Sequence, residues 1–256
     1  ETGRAVVWGI IGGSAASLIL MMIGVSISPH MVYWIWGAVL FSILFRMRFL
    51  CLAYAAGLIA ILQYISLHLH PAGWPGWLSA WAEPVLASLQ AVSISTLLVL
   101  VAILHFVESI YVRHQGDRMQ TPLFLEGKRG KIVGGYQLQG FWPVPLILPL
   151  STGGDAISWT SMLTSDFWQM GWHLAALPVV VGFMDLTKTA TPELKLRRSS
   201  KQLLLYSVIV LGLAVLVEWQ ASLALLAGLL CVLLHEAIIY WSYRSEMKGV
   251  PLFVHP

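Results

Sequence analysis

Two acid–imidazole pairs are the residues of this chain best suited to chemistry. His105 and Glu108 lie three apart, so any helix that carries them presents both on one face. An ionisable pair within an apolar run points to function, because charge in hydrocarbon is costly. Two readings are open: a proton or ion path, or a structural hydrogen bond near the interface. His235-Glu236 begins like the zinc-protease motif His-Glu-x-x-His, but Ile239 holds the fifth position. A second imidazole one turn along is what lets two histidines meet one zinc. Without it the pair predicts neither a metalloprotease nor a metal ligand.

The other candidates are weaker. His68 and His70, two apart, point different ways on a helix. Gly127-Lys-Arg-Gly-Lys131 lacks the full spacing of a phosphate loop and a preceding strand, so it reads as a solvated basic loop. Cys51 and Cys231 sit in apolar runs and read as small buried hydrophobes, not as a disulfide. No nucleophile, base and oxyanion donor come together. The sequence therefore assigns no catalytic residue, no cofactor and no metal, and the protein is read as a non-enzyme.

The elements that position these residues are long apolar runs. They are Ala5–Ile27, Met31–Phe45, Phe49–Leu67, Val85–Ile110, Phe141–Leu150, Trp168–Leu186, Leu203–Val217 and Ala221–Tyr243. Threading them back and forth through a bilayer leaves all fifteen Lys and Arg residues on one side. Basic residues stay in cytoplasmic loops. The composition agrees: 58% of residues are hydrophobic and only 11% charged, against about 25% in a soluble domain. A net charge of +3 is too small for a nucleic-acid surface. The expectation is an all-α fold: a polytopic transmembrane helical bundle of about eight spans, with both ends cytoplasmic. It falls to six if Phe141–Leu150 and Trp168–Leu186 are re-entrant.

Phe141–Leu150 is the irregular part. Pro143, Pro145 and Pro149 cannot make a regular helix in ten residues. Such backbone survives at membrane depth only where protein or water covers it, so the segment is expected to be packed between helices. Trp74, Trp77 and Trp81 mark an aromatic anchor in the outer loop His68–Pro84. Small residues recur as Gly9-xxx-Gly13-xxx-Ser17, Ala53-xxx-Gly57 and Ala224-xxx-Gly228. They suit close helix packing, within the chain or in a homo-oligomer. Lys128, Arg129, Lys131, Lys195, Arg197 and Arg198 form the expected cytoplasmic contact with anionic lipid or an acidic partner. The chain opens Glu-Thr-Gly without Met and reads as a trimmed product.

Several patches carry a resemblance. They are Glu108-Ser-Ile-Tyr-Val-Arg113, Thr121-Pro-Leu-Phe124, Gly127-Lys-Arg-Gly-Lys131, Phe141-Trp-Pro-Val-Pro145, and the earlier Arg46-Met-Arg-Phe-Leu50 with Ala53-Tyr54. Together they resemble the MinJ family of membrane proteins from Gram-positive bacteria. Residues 1–247 would then be the transmembrane domain. Residues 248–256 look like the linker into the cytoplasmic PDZ domain of that family, which this sequence lacks. The resemblance implies a cell-division scaffold at septum and poles, bridging DivIVA-like and MinD-like partners. It brings no catalytic residues. Two alternatives stay open: a secondary transporter built around the proline-broken segment, and a membrane subunit partnering a protease.

Overall fold

The segment Ile94-Ser-Thr-Leu-Leu-Val-Leu-Val-Ala-Ile-Leu104 is apolar on nearly every face. A helix of that kind belongs in the middle of a protein. In the computed structural model, which describes residues 2–126, 131–150 and 173–255, this helix is buried along most of its length. Before it in the chain come α1 (Thr2–Ile23), α2 (Pro29–Ile43), α3 (Leu52–Ser66) and α4 (Gly76–Gln90), the central helix itself being α5 (Ile94–Gln115). Then come β1 (Gln120–Glu126), β2 (Ile132–Leu150), β3 (His173–Thr187), α6 (Pro192–Trp219), α7 (Ala224–Lys248) and β4 (Phe253–His255). Helix starts follow local chemistry: Ser28, Ser93 and Thr191 each accept a backbone N–H with their side chains, capping α2, α5 and α6. α1 ends at Gly24, whose φ of 92° is open to glycine at little cost. Val25 N–H then bonds back to Leu20 O and closes the turn.

The expected all-α bundle of eight or six spans is overturned. β1–β4 form one antiparallel sheet, and among the described residues four helices are long and apolar enough to cross a membrane: α1, α5, α6 and α7. α2 and α3 are apolar but shorter. Phe141–Leu150 lies in β2, as the prolines foretold only in the negative sense of no regular helix. The described part of Trp168–Leu186 lies in β3, where Pro178-Val-Val-Val181 suits a strand and not a helix. Val85–Ile110 is two helices, broken at Ala91–Ser93. The loop His68–Pro84 is partly helical, and α4 leaves Trp77 and Trp81 exposed. The expected linker is folded as well: β4 pairs with Ile132–Gly134, and Leu252 N–H bonds to Lys188 O.

β2 and β3 pair from Tyr136↔Thr187 to Leu150↔His173. Trp142, Val144, Leu146 and Leu148 point inward and are buried. The odd-numbered residues turn their N–H and C=O groups away from β3 and toward α1. Ile147 N–H bonds to Ser17 Oγ at 2.8 Å, and Pro149 O accepts Ile27 N–H at 2.9 Å. Pro143, Pro145 and Pro149 have no N–H to leave bare on that edge. Gly9 and Gly13 lie so close to Pro143 O and Pro145 O that a β-carbon would clash with either carbonyl. The spacing fits: four helical residues rise about 6 Å, and two strand residues about 6.6 Å.

The other two small-residue stripes meet each other. A β-carbon on Gly57 would strike Val232, and one on Gly228 would strike Ala60. All three stripes are therefore used inside the chain, α1 against β2 and α3 against α7. The described Lys and Arg residues gather at one end. There Tyr111 bonds to Trp8 O, Ser200 to Ser109 O, and Lys195 to Glu246, joining the start of α1, the end of α5, the start of α6 and the end of α7. This is called the basic end.

Candidate functional site

Toward the basic end the chain turns tightly at Arg46–Leu50, and Cys51 sits at the N-cap of α3 in extended conformation. That places its thiol against α5 and α7. Cys51 Sγ is 3.3 Å from His105 Nε2 and 3.6 Å from His235 Nε2. One ligand atom from each residue fits within a 4.8 Å span. His105 is 2% exposed. Its Nδ1 lies 2.8 Å from Val101 O, one turn back on α5. A carbonyl only accepts, so Nδ1 carries the proton and Nε2 turns a bare lone pair toward the thiol. Glu108 Oε2 is 3.9 Å from the same Nε2. His235 Nδ1 is buried and has no hydrogen-bond partner among the described residues.

Aromatic rings hold the two imidazoles. The His105 and His235 rings meet edge to face with centroids 5.3 Å apart, and Tyr206 packs edgewise on both. Tyr206 is itself fixed by donating to Cys231 O at 3.0 Å. Tyr54 packs on His235 at 5.2 Å and donates to Glu236 Oε1. Arg48 reaches the same oxygen at 2.8 Å. Glu236 is thus turned outward to Arg48 and Tyr54, while its neighbour His235 turns inward.

The sequence brought His105 and Glu108 to notice as a pair, and they are a pair. It set His235 aside because residue 239 is Ile. The second imidazole comes instead from α5, and the thiol from a residue read as a buried hydrophobe. Local spacing holds no sign of this, since Cys51 stands 54 residues from His105 and 184 from His235. One signal was available: a cysteine, two histidines and two glutamates, all at the same end of apolar runs.

The expected basic contact surface divides. Lys195 is only 4% exposed, so it is removed from that surface. Its Nζ is 3.1 Å from Glu246 Oε1 and 3.4 Å from Asp185 Oδ1. Glu246 also accepts the N–H groups of Lys188 and Thr189, and Asp185 accepts from Ser199 and Ser242. This network ties β3, α6 and α7 together. Lys131, Arg197 and Arg198 are exposed, with Arg197 paired to Glu193 at 2.6 Å. Lys128 and Arg129 lie outside the described residues. The sheet end bares apolar side chains, Phe124 at 82% exposure, with Ile132, Phe253 and Val254.

A pocket of about 640 Å³ lies at the opposite end, lined by Ser28, Gln63, Ser95 and Glu218 among others. Ser95 donates to Glu218 there, and Gln63 donates to Val92 O. Compared with protein-family models, curated proteins and solved structures, the chain matches none.

Proposed function

We propose that this chain is the multi-pass membrane core of a non-enzymatic scaffold of bacterial cell division, acting at septum and poles. It docks DivIVA-like and MinD-like partners at its basic end. The observation that carries the reading is the surface at that end. An exposed apolar sheet end (Phe124, Ile132, Phe253, Val254) runs on from exposed Lys131, and Arg197 and Arg198 are exposed on α6. Apolar side chains and exposed cations at one end suit a partner with an apolar patch and acidic residues. The same cations favour an anionic bilayer, at about 1 kcal/mol each near the surface. The resemblance to the MinJ family supplies the partner class.

The test is localisation in the host. The fluorescent full-length protein is expected at septa and poles, and reversing Lys131, Arg197 and Arg198 to Glu is expected to weaken partner recruitment without loss from the membrane. Uniform membrane signal, with normal septum placement in a deletion strain, refutes the scaffold. A second reading, solute transport, is favoured by the pocket around Gln63, Ser95 and Glu218. Its site differs from the proline segment, which is packed on α1. Transport requires solute uptake that Glu218→Gln abolishes.

A further inference from the structure

The thiol–imidazole cluster is not needed for docking at the basic end. We propose that Cys51, His105 and His235 bind a borderline-soft transition-metal ion of the zinc class, with Glu108 supplying the balancing charge. The distances carry the argument. A tetrahedral zinc, with Zn–S near 2.3 Å and Zn–N near 2.0–2.1 Å, holds its sulfur and nitrogen ligands about 3.5 Å apart. The two sulfur–nitrogen separations here are 3.3 and 3.6 Å. All three ligand atoms lie within 4.8 Å of one another, so one ion reaches the thiolate and both imidazoles once the two ring nitrogens stand about 3.3 Å apart, as tetrahedral zinc requires.

The surroundings agree. The bond from His105 Nδ1–H to Val101 O is of the kind that orients metal-bound histidines, leaving Nε2 free to ligate. A thiol hydrogen bond alone accounts for less. One S–H proton serves only one of the two ring nitrogens, His105 Nε2 and His235 Nε2, that lie near it. One thiolate with two imidazoles selects zinc-class ions over magnesium or calcium, which prefer oxygen.

The charges balance. On binding, Cys51 loses its thiol proton to solvent, so the ion with one thiolate carries a single positive charge. The Glu108 carboxylate, 3.9 Å from His105 Nε2, cancels it. A neutral assembly costs far less to bury than a bare dication. Cys51 and His235 are only partly buried, whereas His105 is fully buried. Since the ligands belong to α5, α7 and the cap of α3, the bound ion would clasp three helices.

The experiment loads the purified chain in detergent with cobalt or zinc alone, then desalts it. About one ion per chain is expected, with thiolate-to-cobalt charge-transfer absorption that disappears in Cys51→Ser. His235→Gln should lower affinity by more than about tenfold, the least expected even for loss of an outer-shell partner. Magnesium should not compete. In a Cys231→Ser background, zinc should slow alkylation of Cys51 at least as much, which covers the case of a ligand variant that does not fold. A monodisperse chain that takes up no cobalt overturns the proposal. So does thiolate–cobalt absorption that survives Cys51→Ser, or an alkylation rate that ignores zinc. Septal localisation is not read in any of these measurements, so this site and the scaffold reading stand or fall separately.

Discussion

Ser17 accepts the N–H of Ile147 at 2.8 Å and donates its own proton to Gly13 O at 2.7 Å. Among Pro143, Pro145, Ile147 and Pro149, Ile147 alone has an N–H on the β2 edge that faces α1, and this serine satisfies it. Ser17→Ala leaves that part-buried donor without its acceptor and should cost about 1 kcal/mol. Pro145→Ala adds a new bare N–H on the same edge and should cost a similar amount, whereas Ser17→Thr should be mild. Thermal unfolding of the detergent-solubilised variants measures this. Wild-type stability in both Ser17→Ala and Pro145→Ala would remove the sealed-edge account.

The α3–α7 crossing gives a contrast between glycines. Gly57→Ala forces a β-carbon into Val232 and should destabilise by about 1–3 kcal/mol. Gly37 lies in α2 with nothing within 4 Å of an added β-carbon. Gly37→Ala should therefore stabilise by about 0.5–1 kcal/mol, through helix propensity. The same thermal assay reads both, and equal effects would argue against close approach of α3 and α7.

Lys195 and Arg198 separate structural charge from surface charge. Lys195→Met leaves Asp185 and Glu246 facing each other without their cation, and breaking such a buried network typically costs about 3–5 kcal/mol. Arg198→Met, on the exposed face of α6, should change stability by no more than about 0.5 kcal/mol. Expression level and thermal midpoint report the difference. A silent Lys195→Met would show that the network contributes little.

Membrane orientation is open to labelling. Gly76 begins α4, and Phe124 is exposed on β1 near the basic end. With cysteines introduced at each, an impermeant maleimide added to intact cells should label Gly76→Cys and spare Phe124→Cys. Labelling of Phe124→Cys from outside would invert or dismantle the layout.

The sequence showed its punctuation more clearly than its pairing. Pro143, Pro145 and Pro149 excluded a regular helix, and β2 has none. That their shared parity marks one strand edge became visible only with β3 and α1 in place. Trp168–Leu186 read as a helix because a continuous apolar run of that length gives no period with which to separate the two states. Its sign was Val179-Val-Val181 beside Pro178. Ser93, three residues before Thr96, marked the break inside Val85–Ile110, but the apolar run on both sides masked it. Of the site, only the local pair His105 and Glu108 was legible. The contacts of Cys51 and His235 are made by the meeting of α3, α5 and α7, which no window along the chain contains. Lys195 looked like its neighbours Arg197 and Arg198, because burial of one cation on a helix depends on what packs against it.

The lock between Ser17 and Ile147 joins residues 130 positions apart. At about 5–20 residues per second, the ribosome releases the glycine face of α1 on the order of ten seconds before the strand that it seals. During that interval Gly9, Gly13 and Ser17 offer a groove with no occupant from their own chain. The nascent protein therefore depends on timing: lipid, the insertion machinery or an earlier helix must hold α1 in a form that later yields to β2. A substitution in that groove would be felt first as slow biogenesis, with the chain retained or degraded while still incomplete.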